Sequence, residues 1–192
     1  MGELFKKKIF WVLMLMMLCA GASEQAVSQW ASNLAEKSFG INKTIGDLAG
    51  PMAFAILMGS SRAFYGKFGD KINLERFMQY SAVLCMVSYL MIAFIPVPAL
   101  GILGCAVCGL SVGIMWPGTF SMAAASVKRG GTALFALLAL AGDVGCSSGP
   151  TYVGMISGAL NDNLKLGIFA ALIFPVLMIM GIKMIGSLQK YD

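Results

Sequence analysis

Apolar residues dominate the chain and polar ones punctuate it. Its longest uncharged stretch, Phe77 to Val127, holds no Asp, Glu, Lys or Arg and is interrupted by Pro96-Val97-Pro98 near its middle. A helix needs roughly 20 mostly apolar residues to cross about 30 Å of hydrocarbon, so this stretch has room for two crossings joined by a tight turn. Apolar runs bounded by charge or turn residues predict six transmembrane helices, at about 9–31, 47–66, 77–95, 99–125, 132–158 and 166–187. Lipid offers no partner to free backbone groups, and these runs are far longer than barrel strands, so each crossing is read as a helix. The expectation is an all-α membrane protein whose residues 1–192 form a single six-helix bundle in the lipid bilayer.

Composition agrees: 58% of residues are hydrophobic and 12% charged, against roughly 25% charged in ordinary soluble domains. Basic residues alternate between the connections. One side holds Lys6, Lys7, Lys8, Arg62, Lys67, Lys71, Arg76, Lys128, Arg129, Lys183 and Lys190, and the other Lys37, Lys43 and Lys165. Lys and Arg favour the cytoplasmic face, so both termini are expected in the cytoplasm of a multi-pass cell-membrane protein, with the turns near Ile41, Pro96 and Asn161 outside. The net charge of +5 follows from that orientation, and no basic face with interleaved aromatics calls for nucleic acid. Three lysines, an apolar core and Ala20-Gly21-Ala22 also fit a signal peptide. Its removal would leave an odd number of helices, so the segment is read as the first crossing.

The chain has no histidine, which removes His-based acid–base chemistry, Ser-His pairing and His-rich metal sites. Cys105-x-x-Cys108 falls inside an apolar helix and is read as packing before metal or redox chemistry. Ser147 and Ser148 stand beside Asp143 with no nearby base. No enzyme, cofactor or metal is expected.

An acid at membrane depth is a functional candidate by default, because ionisable groups in hydrocarbon cost several kcal/mol unless they meet a cavity or a partner. Glu24 lies in the first segment and Asp143 near the middle of the fifth, whereas Asp47 opens the second and suits a helix N-terminus. Glu24 with Ser28, and Gln25 with Gln29, are i,i+4 pairs on adjoining faces, so four polar side chains and then Trp30 form a wet stripe. Such a stripe suits a hydroxyl-rich solute; the alternative is a helix end emerging into water with Trp30 as interfacial anchor. In Gly142-Asp143-Val144-Gly145-Cys146-Ser147-Ser148-Gly149-Pro150, glycines and a proline weaken the helix around a charge. A discontinuous helix there would build a transport site with Asp143 carrying a proton. Alternatively Gly145, Gly149, Gly154 and Gly158 are close-packing positions. In the fourth segment Trp116-Pro117-Gly118-Thr119 is expected to break the helix, with Trp116 a candidate cavity residue.

Gly59-Ser60-Ser61-Arg62-Ala63-Phe64-Tyr65-Gly66-Lys67-Phe68-Gly69-Asp70-Lys71 resembles the loop motif of the major facilitator superfamily, Gly-x-x-x-Asp-Arg-x-Gly-Arg-Arg. Arg62 falls at the first Gly, Gly66 replaces the acid, Lys67 takes the Arg position, Gly69 is retained, and Asp70-Lys71 stand where two basics would follow. The form is similar to that of the fucose permease-like sugar transporters. Gly21, Glu24 and Trp30 are similar to their seventh helix, and the Gly-rich fourth segment ending in Trp116-Pro117 to their tenth. The resemblance implies a C-terminal half of a secondary transporter for a small polar solute such as a sugar, working by proton symport, with a gate loop from Arg62 to Lys71 in which Asp70 pairs with Arg62 or Lys67. It implies as partner an N-terminal six-helix half, encoded in the same gene, in a split gene, or supplied by a second copy. A non-transporting scaffold whose small-residue faces bind other helices is the competing reading.

Overall fold

The computed structural model describes residues 2–38, 40, 42–127 and 130–188, and among them every regular element is helical. Ile41, Lys128, Arg129 and Lys190, on which the expected orientation partly rests, lie outside the described residues. In chain order the elements are α1 Gly2–Phe5, α2 Lys8–Ser28, α3 Ala31–Asn33 with a π-helical turn Leu34–Ser38, and α4 Lys43–Phe68 with a 3-10 turn Gly69–Lys71. Then come α5 Leu74–Phe94, α6 Pro98–Val112, α7 Met115–Ser126, α8 Gly131–Ala159, α9 Leu164–Ala170 and α10 Ile173–Leu188. Short polar side chains start several of them by accepting otherwise orphaned amides: Asn42 from Thr44 N at 3.0 Å, Asn73 from Arg76 N at 3.0 Å and Asn163 from Leu166 N at 3.4 Å.

Five stretches are long and apolar enough to cross a membrane: Lys8–Lys37, Leu74–Phe94, Pro98–Ser126, Gly131–Ala159 and Leu164–Leu188. The expected second crossing lies inside α4, whose 26 residues span about 39 Å at 1.5 Å per residue. Arg62, Lys67, Pro51 and its glycines and serines keep α4 outside those five. Large apolar side chains such as Leu90, Phe94, Met155 and Met180 face outward, while Phe10, Leu13, Met16, Tyr89, Leu138 and Ile182 fill the interior. With apolar surface on both sides, the bundle is built for lipid. The multi-pass membrane assignment is therefore sound. Cys105 and Cys108 are free and buried within α6.

Four prolines sit inside the long segments, and two of them end a helix. A proline supplies no N–H to the carbonyl four residues earlier. α6 stops before Gly113, four residues ahead of Pro117, and α9 stops before Ala171, four residues ahead of Pro175. The expected break in the fourth segment is thus present but falls at Gly113–Ile114, ahead of Trp116. The sixth segment, expected as one helix, is two. Pro51 and Pro150, by contrast, lie within continuous helices.

Continuity through Pro150 corrects the expectation of a discontinuous helix over Gly142–Pro150. Glycines there bring backbones together and do not loosen them. A side chain on Gly145 would collide with the carbonyl of Leu18, and one on Gly149 with that of Ala22, so α8 lies backbone-on-backbone along α2. The same device joins α6 to α4, where Gly109 meets the Phe54 carbonyl and Gly113 that of Met58. Each pair of glycines spaced by four faces a pair of carbonyls spaced by four. Gly154 instead leaves room for the Trp30 ring, and Gly158 opens on empty space.

Candidate functional site

Polar side chains gather along the end of α2, against which α8 packs and to which Arg62 of α4 reaches. Glu24 and Gln25 are half-buried on α2, and Gln29 is exposed at its end. Gln29 Nε2 donates to Gln25 Oε1 at 3.1 Å, and Gln25 Nε2 to Glu24 Oε1 at 3.4 Å, so the stripe read from the spacing is a connected chain. Trp30 closes it by turning inward. Its Nε1 donates to the Pro150 carbonyl at 3.1 Å, joining the α2 terminus to α8 beside a recess of about 300 Å³ lined by Gln29, Trp30, Pro150 and Thr151. Ser28 is half-buried on the same helix end.

Arg62 is the partner that sequence reasoning missed. Its Nη2 lies 3.1 Å from Glu24 Oε2, with the carboxylate side chain 13% exposed and the guanidinium 44%. Its Nε also donates to the Gly113 carbonyl at 3.3 Å. The motif puts Arg62 in a gate loop reaching toward Asp70. It stands instead in α4, which stays helical to Phe68, so of the motif only Gly69, Asp70 and Lys71 form the turn. Gly66 is an ordinary helical position with open space around it. Lys67 places its Nζ 5.4 Å from the Phe68 ring centre, and Asp70 and Lys71 are exposed. One signal in the sequence pointed to Arg62: Pro117 must orphan the Gly113 carbonyl, and a buried carbonyl needs a donor.

Asp143 lies on the outer face of α8. It is exposed, and with Val144, Ser147, Ser148 and Thr151 it lines an open concavity of about 440 Å³. Asp143, Ser147 and Thr151 follow one another at i,i+4. Ser147 and Thr151 return their hydroxyls to the carbonyls of Asp143 and Ser147, at 3.1 and 2.7 Å. Cys146 lies within electrostatic range of both Glu24 and Asp143 and marks where the two stripes approach. Trp116 covers Gly142, and its Nε1 is buried without a hydrogen-bond partner.

A second cavity, about 480 Å³, opens between α4 and α5 over Leu110 and is lined by Ser60, Ser61, Phe64, Phe77 and Tyr80. At 100° per residue Ser60 and Phe64 lie about 160° around α4 from Arg62 and Ser61 about 100°, so this largely apolar cleft opens on a different face of α4 from the polar cluster. Chemically, the polar cluster offers fixed charges, amides and indole donors without a nucleophile–base pair. It can bind and orient a polar molecule, and nothing in it is arranged to break a bond.

Against known proteins, no curated protein matches the chain. A model of the Major Facilitator Superfamily matches residues 1–150, from ahead of α1 to Pro150 of α8, and leaves out the end of α8 and the two helices after it. The chain belongs to the Major Facilitator Superfamily of membrane transporters.

Proposed function

We propose that the chain is one six-helix half, the C-terminal one, of a secondary active transporter of the fucose permease-like branch, with α4 as its sixth crossing. Its place is the cell membrane with both termini in the cytoplasm, as the distribution of basic residues favours. The solute is small and rich in hydroxyls, a sugar being the chemistry that suits the site, and it moves in symport with a proton. The partner is an N-terminal six-helix half from the same gene, a split gene or a second copy, seated over the polar face.

One observation carries this reading. The stripe Glu24–Gln25–Gln29–Trp30 along the end of α2 adjoins the stripe Asp143–Ser147–Thr151 on α8, on a bundle that exposes many large apolar side chains elsewhere. A polar face of that kind is stable in a membrane when it lines a watered cavity or a protein interface. The unpartnered Trp116 Nε1 is a donor that a solute oxygen would satisfy. Glu24 is the proton carrier by its half-burial and its pairing with Arg62, and Asp143 is the second candidate. The scaffold reading weakens, because Gly109, Gly113, Gly145 and Gly149 are already used inside the bundle.

The test is reconstitution of the chain with a matching N-terminal half in proteoliposomes, followed by uptake of labelled monosaccharides under an imposed proton gradient. Gradient-driven uptake that Glu24→Gln abolishes and Asp143→Asn alters is expected. Uptake unaffected by either substitution would overturn the assignment.

A further inference from the structure

Pro117 leaves the Gly113 carbonyl without its helical donor, and Gly113 is buried, so water is a poor substitute. Arg62 supplies the missing donor through Nε at 3.3 Å, and the same guanidinium reaches Glu24 through Nη2 at 3.1 Å. One residue therefore holds the break between α6 and α7 with one nitrogen and the acid of the polar site with another. A second contact ties α4 to this region one turn later: Tyr65 Oη donates to Ser121 Oγ at 3.1 Å, and Ser121 returns its hydroxyl to the Pro117 carbonyl at 2.9 Å.

We infer that Arg62 is a positioning residue that couples the charge on Glu24 to the bend between α6 and α7. While Glu24 is ionised, a charge-assisted hydrogen bond fixes the guanidinium plane and so aims Nε at the Gly113 carbonyl. When that charge is lost or screened by a bound solute, the fork loses its anchor, the carbonyl loses its donor, and the two helix segments are free to change their angle. Other ionisable groups around Glu24 are few. α5 brings Tyr89, whose hydroxyl is bonded to the Ser23 carbonyl, α8 brings Asp143 and Cys146, α6 brings Cys105 and Cys108 but, like α7, no Asp, Glu, Lys or Arg, and Lys67 on α4 is five residues beyond Arg62. Lys183 of α10 lies just past Gly181, which packs on Met16, eight residues before Glu24. Arg62 is the cation bonded to Glu24.

The inference deepens the proposed site in taking Glu24 as its acid, yet its test does not need transport. Spin labels on unnatural amino acids at Leu103 of α6 and Ala124 of α7, both exposed, report the bend by pulsed distance measurement on the full chain in nanodiscs. The native pair should give one narrow distribution. Arg62→Gln and Glu24→Gln should each broaden or shift it. Arg62→Lys, which keeps the charge but cannot span both acceptors, should behave like Arg62→Gln. Pro117→Ala returns an N–H to the ladder, so in that background Arg62→Gln should have no further effect. A distribution unmoved by Arg62→Gln, restored by Arg62→Lys, or shifted equally with and without Pro117 would overturn the coupling. Failure of sugar uptake alongside the expected distances would sink the transport reading and leave this one standing.

Discussion

Adding one methyl group at Gly149 should separate the two most closely packed helices. A Cβ there would lie 2.5 Å from the Ala22 carbonyl oxygen and 2.7 Å from Ala22 Cα, whereas ordinary van der Waals contact begins near 3.4 Å. The shortfall is 0.9 Å, that is 3.4 minus 2.5, and it is met by backbone, which has no rotamer to yield. Overpacking of this kind costs about 1–3 kcal/mol, and a backbone obstacle puts Gly149 at the upper end. Alanine regains about 1 kcal/mol of helix propensity over glycine, so Gly149→Ala should lose about 2 kcal/mol. Gly59 in α4 is the control, since a Cβ added there would meet nothing within 4 Å and Gly59→Ala should gain up to about 1 kcal/mol. The difference, about 3 kcal/mol, is more than a hundredfold in the folding equilibrium. Reversible unfolding in mixed micelles with added sodium dodecyl sulfate, followed by circular dichroism, measures both. Equal midpoints for the two variants would refute the backbone contact between α2 and α8.

Other outcomes follow from single contacts. Trp30→Phe keeps the ring over Gly154 but removes the bond to the Pro150 carbonyl, and should lower stability by about 1 kcal/mol in the same unfolding assay. Tyr89→Phe, which deletes a fully buried hydroxyl donating to the Ser23 carbonyl at 2.7 Å, should cost about 1–3 kcal/mol. Maleimide should label half-buried Cys146 first, with Cys19, Cys85, Cys105 and Cys108 reacting after denaturation; mass spectrometry of time points reads the order. Pro175→Ala should merge α9 and α10 into one helix, seen as new amide-exchange protection near residue 175.

Much of this was legible in the chain because bilayer physics leaves few alternatives. Pro96-Val97-Pro98 fixed the turn between α5 and α6, and the spacing of Gln25 and Gln29 gave a pair that is bonded at 3.1 Å. Gly145 and Gly149 were readable as packing positions or as a weak point, and only their neighbours Leu18 and Ala22 decide between the two. Prolines were readable only in part: the breaks at Pro96–Pro98 and near Pro117 were expected, whereas the outcomes at Pro150 and Pro175 were not. Pro150 sits where α8 is pressed along α2 and stays helical, while Pro175 ends a helix, and the difference lies in contacts far away in sequence. The pairing of Glu24 with Arg62 crosses 38 positions and depends on how α4 is tilted over α6, so a motif that resembles a loop concealed a residue of the polar cluster.

The seating of α4 also has a consequence in time. Its backbone rests on Gly109 and Gly113 of α6, whereas it meets α5, its neighbour in sequence, at the Phe64–Phe77 ring pair beside their joining turn. α4 is the long helix that falls outside the five most apolar spans. During synthesis its proper companion begins at Pro98, 30 residues after Phe68 by subtraction, which is a delay of a few seconds at about 5–20 residues per second. Until then Arg62 has no Gly113 carbonyl to cap. Before α6 is made, α4 has only its contacts with earlier segments, Gly46 against Ala35, Gly50 against Ala31 and Arg62 against Glu24, and its seat is completed from the C-terminal side.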